Sequence, residues 1–416
     1  LIPTINMKEK PALWIEAAEA IRLLDVNRAT LYAYVSRGLI RSEPLGGGTR
    51  RRRYSRNDIE RLVARAGERR NPEKTAEQAL HLGLPVLESC ITLVTSDRIC
   101  YRGRDVSVLA RTRSISEVAA LLWMGTEAGN ALVTPPRESI SVPRLRKTMP
   151  FVAAAQAALA MAAADDALSH DFRPHAVAQT GWRIIWKLAG VAAGAGKQRD
   201  TIDTTLAERW GVPHSADPIR AALILCADHE LNVSTFAVRC VASAGSSPYN
   251  AVIAGLAALE GTKHGGTTAR IETSWDALRG TRDLTGALAE CLRRDGRIDG
   301  FGHPLYPHGD PRAQALLELL PKGEPAAFAR ELERAAQTVL GEAPTIDFAL
   351  VAATRAMGLP SGAPLRLFAI GRTLGWIAHA IEQYEKDVVI RPRARYIGEQ
   401  PGVQTADGQH PRSVDH

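Results

Sequence analysis

The sequence predicts a mostly α-helical protein in two parts, a small basic module at the N-terminus and a larger helical body with two unequal lobes. Three observations point there. Ala-rich stretches at 152–165, 251–260, 326–340 and 348–357 have helix-forming composition, with Gly or Pro between them. Alternating strand patterns are few, and Ile99-Cys100-Tyr101 is the best short one. The charge is uneven: residues 1–70 hold 15 Lys and Arg against 8 Asp and Glu, whereas the remaining 346 residues hold 37 of each. The whole net charge of +7 therefore sits in the first sixth of the chain. A basic block beside a neutral body suggests a module for a polyanion, joined to something with another task.

Length and composition set the bounds. With 416 residues the chain exceeds what one core usually serves. Its 45% apolar and 23% charged residues exclude global disorder. The longest apolar runs, such as Phe151 to Ala164, carry Gln156 and stop at Asp165. They fall short of the roughly 20 apolar residues a membrane span needs. Leu1 to Lys10 lacks the apolar region of a signal peptide, and Met7 reads as a natural start. The five cysteines are scattered, with no Cys-x-x-Cys pair, so reduced thiols in a cytoplasmic protein are expected and a metal site is not.

The module is justified element by element. Trp14, Ala17, Ala18, Ile21 and Leu24 recur at helical steps and share one face. Asp25-Val26-Asn27 breaks the pattern, Asn27 or Arg28 opens a second helix with Ala29, Leu31, Tyr32 and Val35, and Gly38 closes it. Two short helices with a tight turn read as a helix-turn-helix. Leu39-Ile40, a glycine turn at 45–49 and the run Arg50 to Arg53 suit a β-hairpin wing along a phosphate backbone. Ser55 caps a further helix carrying Asp58, Ile59, Leu62 and Val63. This stretch, WIEAAEAIRLLDVNRATLYAYVSRGLIRSEPLGGGTRRRRYSRNDIERLVAR, resembles the winged helix-turn-helix of MerR-like and excisionase-like DNA-binding domains. The resemblance implies duplex DNA as a partner of residues 1–70. It makes Arg28, Thr30, Tyr32, Arg50, Arg51, Arg52 and Arg53 the candidate DNA-binding residues, with Tyr34 beside the recognition helix.

A polar, proline-interrupted linker is expected at 71–78, the body at 79–398 and a fraying polar tail at 399–416. Polar clusters interrupt the body's apolar helices: Asp228-His229-Glu230, Lys263-His264-Gly265-Gly266, Gly300-Phe301-Gly302-His303, Gly309-Asp310-Pro311-Arg312, Thr345-Ile346-Asp347, Gly371-Arg372 and Arg391-Pro392-Arg393. Singly, each has a plain reading as a core histidine, a helix cap or a solvated charge. His264 and His303 differ, because their glycine neighbours let a backbone or ligand approach closely.

In order, the series is far more specific. GLPVLESCITLVTSDRICYRGRDVSVLA and ISEVAALLWMGT come first, then ILCADHELNVST, TKHGG, GFGHPLYPHGDPRA, TIDFAL, GRTLGWIAHAIEQ and RPRARY. The series resembles citrate synthases from about residue 83 onward. The resemblance implies a two-lobed, all-helical body with a small lobe inserted at roughly 266–354. It further implies the condensation of acetyl-CoA with oxaloacetate and water to give citrate and CoA, with no cofactor beyond the thioester substrate. By motif match Asp347 is the base, His264 the donor to the thioester oxygen, and His303 the group that polarises the ketone. His229, Arg312 and Arg372 would hold oxaloacetate, Gly300, Phe301 and Gly302 would meet CoA, and Arg391 would complete the neighbouring site of a homodimer.

One departure stands out. Bacterial relatives usually carry Arg after this active-site histidine and a basic residue four positions beyond it; here Pro304 and Pro307 stand there, neither offering a charge or a backbone donor. His308 is the nearest substitute for contacts to CoA phosphates. Three other readings stay open: a 2-methylcitrate synthase using propionyl-CoA, a DNA-binding regulator whose body senses metabolites, and a synthase-like enzyme acting on another 2-oxo acid, since Arg372 and Arg391 define carboxylates rather than a whole substrate.

Overall fold

The computed structural model describes residues 14–24, 26–36, 39–44, 52–56, 58–59, 87–126, 143, 145–146, 148–194, 199–394 and 396–398. The glycine turn with Arg50 and Arg51, Leu62 and Val63, the expected linker at 71–78 and the tail at 399–416 lie outside them. The chain divides into two compact units, Leu1–Glu88 and Ser89–His416.

In the first unit, β1 (Trp14–Glu16) leads into α1 (Ala17–Leu24) and α2 (Arg28–Ser36), followed by β2 (Ser42–Pro44) and β3 (Arg52–Ser55). The strands form an antiparallel sheet in the order β1-β3-β2, with Trp14 opposite Ser55 and Ser42 opposite Tyr54. Trp14, expected on the first helix face, therefore belongs to a strand. Its helical spacing from Ala17 and Ala18 is overridden by pairing with a partner 41 positions away, which sequence periodicity does not register. The Asn27 carboxamide accepts the Thr30 amide at 2.9 Å and caps α2. Ile15, Ala20, Leu31, Ile40, Tyr54 and Ile59 close one small core. Ser55 Oγ accepts the Asp58 amide at 3.4 Å. The Asp58 carboxylate grips the Arg41 guanidinium at 2.8 and 3.0 Å, and this pairing holds its carboxyl well below the usual range.

The second unit opens on an antiparallel sheet of β4 (Thr92–Val94), β5 (Ile99–Tyr101) and β6 (Arg104–Asp105). Helices follow: α3 (Val106–Thr112), α4 (Ile115–Met124), α5 (Phe151–Asp165), α6 (Pro174–Ala193), α7 (Ile202–Arg209), α8 (Ala216–Leu225), α9 (Val233–Ser243) and α10 (Pro248–Leu259). Then come α11 (Gly266–Leu278), α12 (Leu284–Asp295), α13 (Pro311–Leu317), α14 (Glu324–Leu340), α15 (Ile346–Met357) and α16 (Ala363–Lys386). Among the described residues no helix is long and apolar enough to cross a membrane.

Two apolar cores organise this unit. The larger runs from Ile91 to Ile381, and the smaller gathers Ile271, Trp275, Leu288, Phe328, Leu332 and Phe348 with their neighbours. Helix α15 serves both. Ile346, Ala349, Leu350 and Ala353 face the larger core, and Phe348, Val351 and Ala352 the smaller, so its first turn stands at the seam. Tyr306, Ala313 and Leu316 lie inside the 266–354 stretch yet pack into the larger core, which ties the two together. Helix α16 is buried along most of its length. At Gly375 it rides so close to the 226–230 segment that a Cβ there would strike the Ala227 carbonyl and the Asp228 side chain.

Candidate active site

The segment after α8 carries His229, and buried bonds fix it. The Tyr101 hydroxyl donates to the Ile224 carbonyl at 3.1 Å and accepts the Asp228 amide at 3.0 Å. The Asp228 carboxylate accepts the Glu230 amide at 3.1 Å and faces His379 Nε2 at 3.3 Å. Glu230 takes the left-handed conformation, with φ of 55°. These constraints turn the His229 ring toward the 303–306 loop. Its Nε2 lies 2.5 Å from the Tyr306 hydroxyl, and its ring centroid 5.5 Å from that of His303.

His303 follows Gly300-Phe301-Gly302, a loop stitched to the start of α15. Thr345 donates its amide (2.9 Å) and hydroxyl (3.2 Å) to the Gly300 carbonyl, and the Gly302 amide donates to the Ala343 carbonyl at 3.0 Å. Gly300 and Gly302 have φ of 93° and 77°, a region costly for other residues. This stitching binds the histidine loop to the helix whose first turn holds Asp347. Both carboxylate oxygens of Asp310 grip Arg312, at 3.0 Å to Nε and 2.8 Å to Nη2, and Asp310 also accepts the Ile346 amide at 3.1 Å. One buried carboxylate thus locates the guanidinium and the N-terminus of α15.

Arg372, only 1% exposed, projects from α16. It donates from Nε to the Cys226 carbonyl at 2.8 Å and lies 4.7 Å from the centre of the Phe368 ring. Its Nη1 is buried with no hydrogen-bond partner among the described residues. His264 meets the same Phe368 ring edge to face, at 6.0 Å between ring centroids. His264 Nε2 lies 2.9 Å from Ser234 Oγ, which also reaches the Asn232 carboxamide at 2.8 Å.

The electrostatics follow from burial and two guanidinium groups. Burial pushes the His264 ring down to about 4, with Arg372 adding to the effect. His303 is lowered by burial and then by Arg312, and His229 falls well below its ordinary value through burial, Arg312 and Arg372. All three imidazoles are neutral at pH 7. Burial pushes Asp347 up to about 6, against the pull of Arg312 and Arg372. It is mostly ionised at pH 7 and a stronger base than an ordinary aspartate. The arrangement can hold a dianionic ligand, offer neutral donors to oxygens that gain charge, and remove a weakly acidic proton.

His229, His264, His303, Arg312, Asp347 and Arg372, with Gly300, Phe301 and Gly302 beside them, therefore converge. Arg391 does not: it is exposed in the segment after α16, outside this cluster of the single chain. Pro304, Pro307 and His308 are exposed. In the first unit Arg28 and Tyr32 are exposed on α2, whereas the Thr30 hydroxyl is engaged with Asn27 at 3.0 Å. Arg52 bonds Ser42, and Arg53 pairs with Glu43 at 2.5 Å across the strands. Sequence reasoning gives no role to Tyr306, Asp310, Ser234 or Asp228. Tyr306 and Asp310 stand inside the motif that carries His303 and Arg312, and Asp228 and Ser234 inside the one that carries His229, so proximity in sequence is the available signal.

Comparison with known proteins gives two family matches: "Citrate synthase, C-terminal domain" over residues 80–393 and "Helix-turn-helix domain" over residues 14–67. A citrate synthase of Haloferax volcanii is 31% identical over 363 residues, covering 76% of this chain and 94% of that protein. A 2-methylcitrate synthase of Corynebacterium glutamicum is 32% identical over 197 residues, covering 45% of this chain and 52% of that protein. Among solved structures, citrate synthase from Thermoplasma acidophilum, in ternary complex with carboxymethyl coenzyme A and oxaloacetate, superposes with a TM-score of 0.65 at 25% identity. That match covers 79% of this chain and 98% of that one.

Proposed function

The chain belongs to the citrate synthase family, and from that premise we propose that it condenses acetyl-CoA with oxaloacetate, then hydrolyses the thioester to release citrate and CoA. The observation that carries this reading is the convergence of Asp347, raised to about 6, with three neutral imidazoles and two buried guanidiniums.

Each group has a task in this reaction. Asp347 takes a proton from the methyl carbon of the thioester while His264 donates to the thioester oxygen, which gains charge as the enol forms. For His264 to donate through Nδ1 its Nε2 must accept, which requires the Ser234 hydroxyl to turn its single proton from the Asn232 carboxamide oxygen, 2.8 Å away, to His264 at 2.9 Å. A neutral imidazole suits an enol better than a cation would. The enol carbon attacks the keto carbon of oxaloacetate, whose oxygen His303 polarises. Losing one such donor typically costs about 2.7–4 kcal/mol in the barrier. Arg312, Arg372 and His229 hold the acceptor's carboxylates, and Nη1 of Arg372, which has no acceptor among the described residues, donates to one of them. Gly300, Phe301 and Gly302 line the path of the CoA arm. Arg391 reaches the site of a second copy, so the working form is a homodimer. We place it in the cytoplasm, with a place in the tricarboxylic acid cycle and no cofactor beyond its substrates.

Propionyl-CoA is the nearest alternative donor. The likeness to a 2-methylcitrate synthase favours keeping it, and one methylene is worth only about 1–3 kcal/mol of discrimination. The first unit adds duplex DNA as a second partner, supported by its helix-turn-helix match and by the exposed Arg28 and Tyr32. A pure metabolite sensor would not need a raised carboxylate base. The deciding experiment is steady-state CoA release with oxaloacetate and each donor. Release that requires both substrates and favours acetyl-CoA supports the proposal, a preference for propionyl-CoA moves it to 2-methylcitrate, and no release with either donor favours the sensor.

A further inference from the structure

His264 and Asp347 must meet one acetyl group, yet they come from segments far apart in the chain. Asp347 is tied to the histidine loop through Thr345, which donates to the Gly300 carbonyl. Arg270, near the start of α11, ties His264 to that same loop. Its Nε and Nη2 donate to the two oxygens of Asp299, at 2.8 and 3.0 Å, and Asp299 directly precedes Gly300. Its Nη1 donates at 2.8 Å to the carbonyl of Thr262, two residues before His264. Nη2 also reaches the Thr267 hydroxyl at 3.1 Å, three residues after the histidine.

The turn between these anchors has bonds of its own. The His264 amide donates to the Gly261 carbonyl and the Gly265 amide to that of Leu259, both at 2.9 Å. Those bonds shape the turn but are local to it. Arg270 adds the link across to Asp299, and all three of its guanidinium nitrogens are engaged. The side chains of Arg270 and Asp299 are 33% and 19% exposed, and a pair so open to water contributes little to global stability. The two-pronged fork and the third bond instead fix a planar group in one orientation. A geometry so fully specified at so small a gain in stability suits placement.

We propose that Arg270, with Asp299, is a positioning residue for enolisation: it sets the His264 ring against the loop to which the Asp347 helix is anchored, so that donor and base close on one acetyl group. This rests on the function proposed above. Misplacing a reacting group by about 1 Å can cost on the order of a hundredfold in rate.

The test compares the full chain with Arg270→Ala, Arg270→Lys and Asp299→Asn. In Arg270→Ala, kcat should fall at least tenfold while KM for oxaloacetate stays within twofold. Arg270→Lys, which keeps the charge but not the fork, should fall between. With trideuterated acetyl-CoA the isotope effect on kcat in Arg270→Ala should be at least as large as in the wild type. Combining Arg270→Ala with Asp299→Asn should slow the enzyme little beyond the slower single variant. Arg297→Ala removes a cation 3.4 Å from the same carboxylate and should leave kcat within twofold. Unchanged kcat in Arg270→Ala, or a smaller isotope effect, would overturn the proposal. So would additive losses in the double variant. A rise confined to KM for acetyl-CoA would make Arg270 a contact to the CoA arm and overturn it too. Amide exchange needs no turnover: the 259–266 stretch should exchange faster in Arg270→Ala and Asp299→Asn, and unchanged exchange in both would overturn the proposal. A wild type that releases no CoA, with that exchange accelerated in both variants, overturns only the function proposed above.

Discussion

The hydroxyl of Tyr306 lies 2.5 Å from Nε2 of His229, inside a buried group that also holds His303 and Arg312. Both partners are neutral at pH 7, since burial raises the phenol and lowers the imidazole. Tyr306→Phe leaves a buried ring nitrogen without its partner, a loss worth about 1–3 kcal/mol. Because His229 is assigned to acceptor binding, KM for oxaloacetate should rise about tenfold while kcat changes less. Steady-state titration of oxaloacetate at saturating acetyl-CoA measures both.

As the proposed base, Asp347 should set the acid limb of the pH profile. With its carboxyl near 6, kcat/KM should fall tenfold for each pH unit below that value and level off above it. The same shift has a consequence for stability. A carboxyl raised in the folded state favours the folded form while protonated, and that contribution disappears as pH rises from about 4 to about 6. Asp347→Asn should therefore melt with the wild type at pH 4 and above it at pH 8, by about 2–3 kcal/mol for a carboxyl raised to about 6. Melting curves at the two pH values check the sign.

Gly375→Ala should disturb the acceptor site from a distance. The added methyl meets the Ala227 carbonyl and the Asp228 side chain, two groups that hold the His229 segment. Overpacking of this kind costs about 1–3 kcal/mol. Lower stability together with a raised KM for oxaloacetate is expected, and unchanged values for both would show that the segment moves aside freely.

How much of this is legible in sequence depends on range. The helical body, the basic module and the order of polar motifs can be read because periodicity, charge and spacing are local. Periodicity misplaces Trp14 because its strand partner, Ser55, is 41 positions away. The sheet around Ile99–Tyr101 gains partners at 92–94 and 104–105 whose short runs alternate too little to register. In the site, His264, His303 and Asp347 are visible by motif. The carboxylate that locates both Arg312 and α15 is not, because Asp310 looks like an ordinary residue before Pro311. The place of Asp347 at the seam of two cores likewise emerges only when both faces of α15 are packed.

Arg391 is exposed in the single chain, so its assigned role requires a second copy. Arg391→Ala and Asp347→Ala should each be nearly inactive alone. Mixed after subunit exchange they should regain activity, because one site of the mixed dimer keeps both Asp347 and a neighbouring Arg391. Mixtures no more active than their components would place Arg391 within its own subunit's site or outside catalysis.

The first unit should bind duplex DNA through α2 and the wing. Arg28→Ala and Arg52→Ala in the full chain should each weaken binding and lower the log–log salt slope by about 0.9 for each phosphate no longer neutralised. Arg53 is paired with Glu43, so Arg53→Ala should matter less. Binding isotherms at several salt concentrations separate these outcomes.

Asp347 acting as the base beside His264 and His303 is the step on which the proposed reaction depends. Mass analysis of product after a single turnover of acetyl-CoA and oxaloacetate, in wild type and Asp347→Ala, tests it most directly. The wild type should yield citrate and free CoA, with formation at least a thousandfold slower in the variant. Citrate formed at comparable rates by both proteins would contradict it.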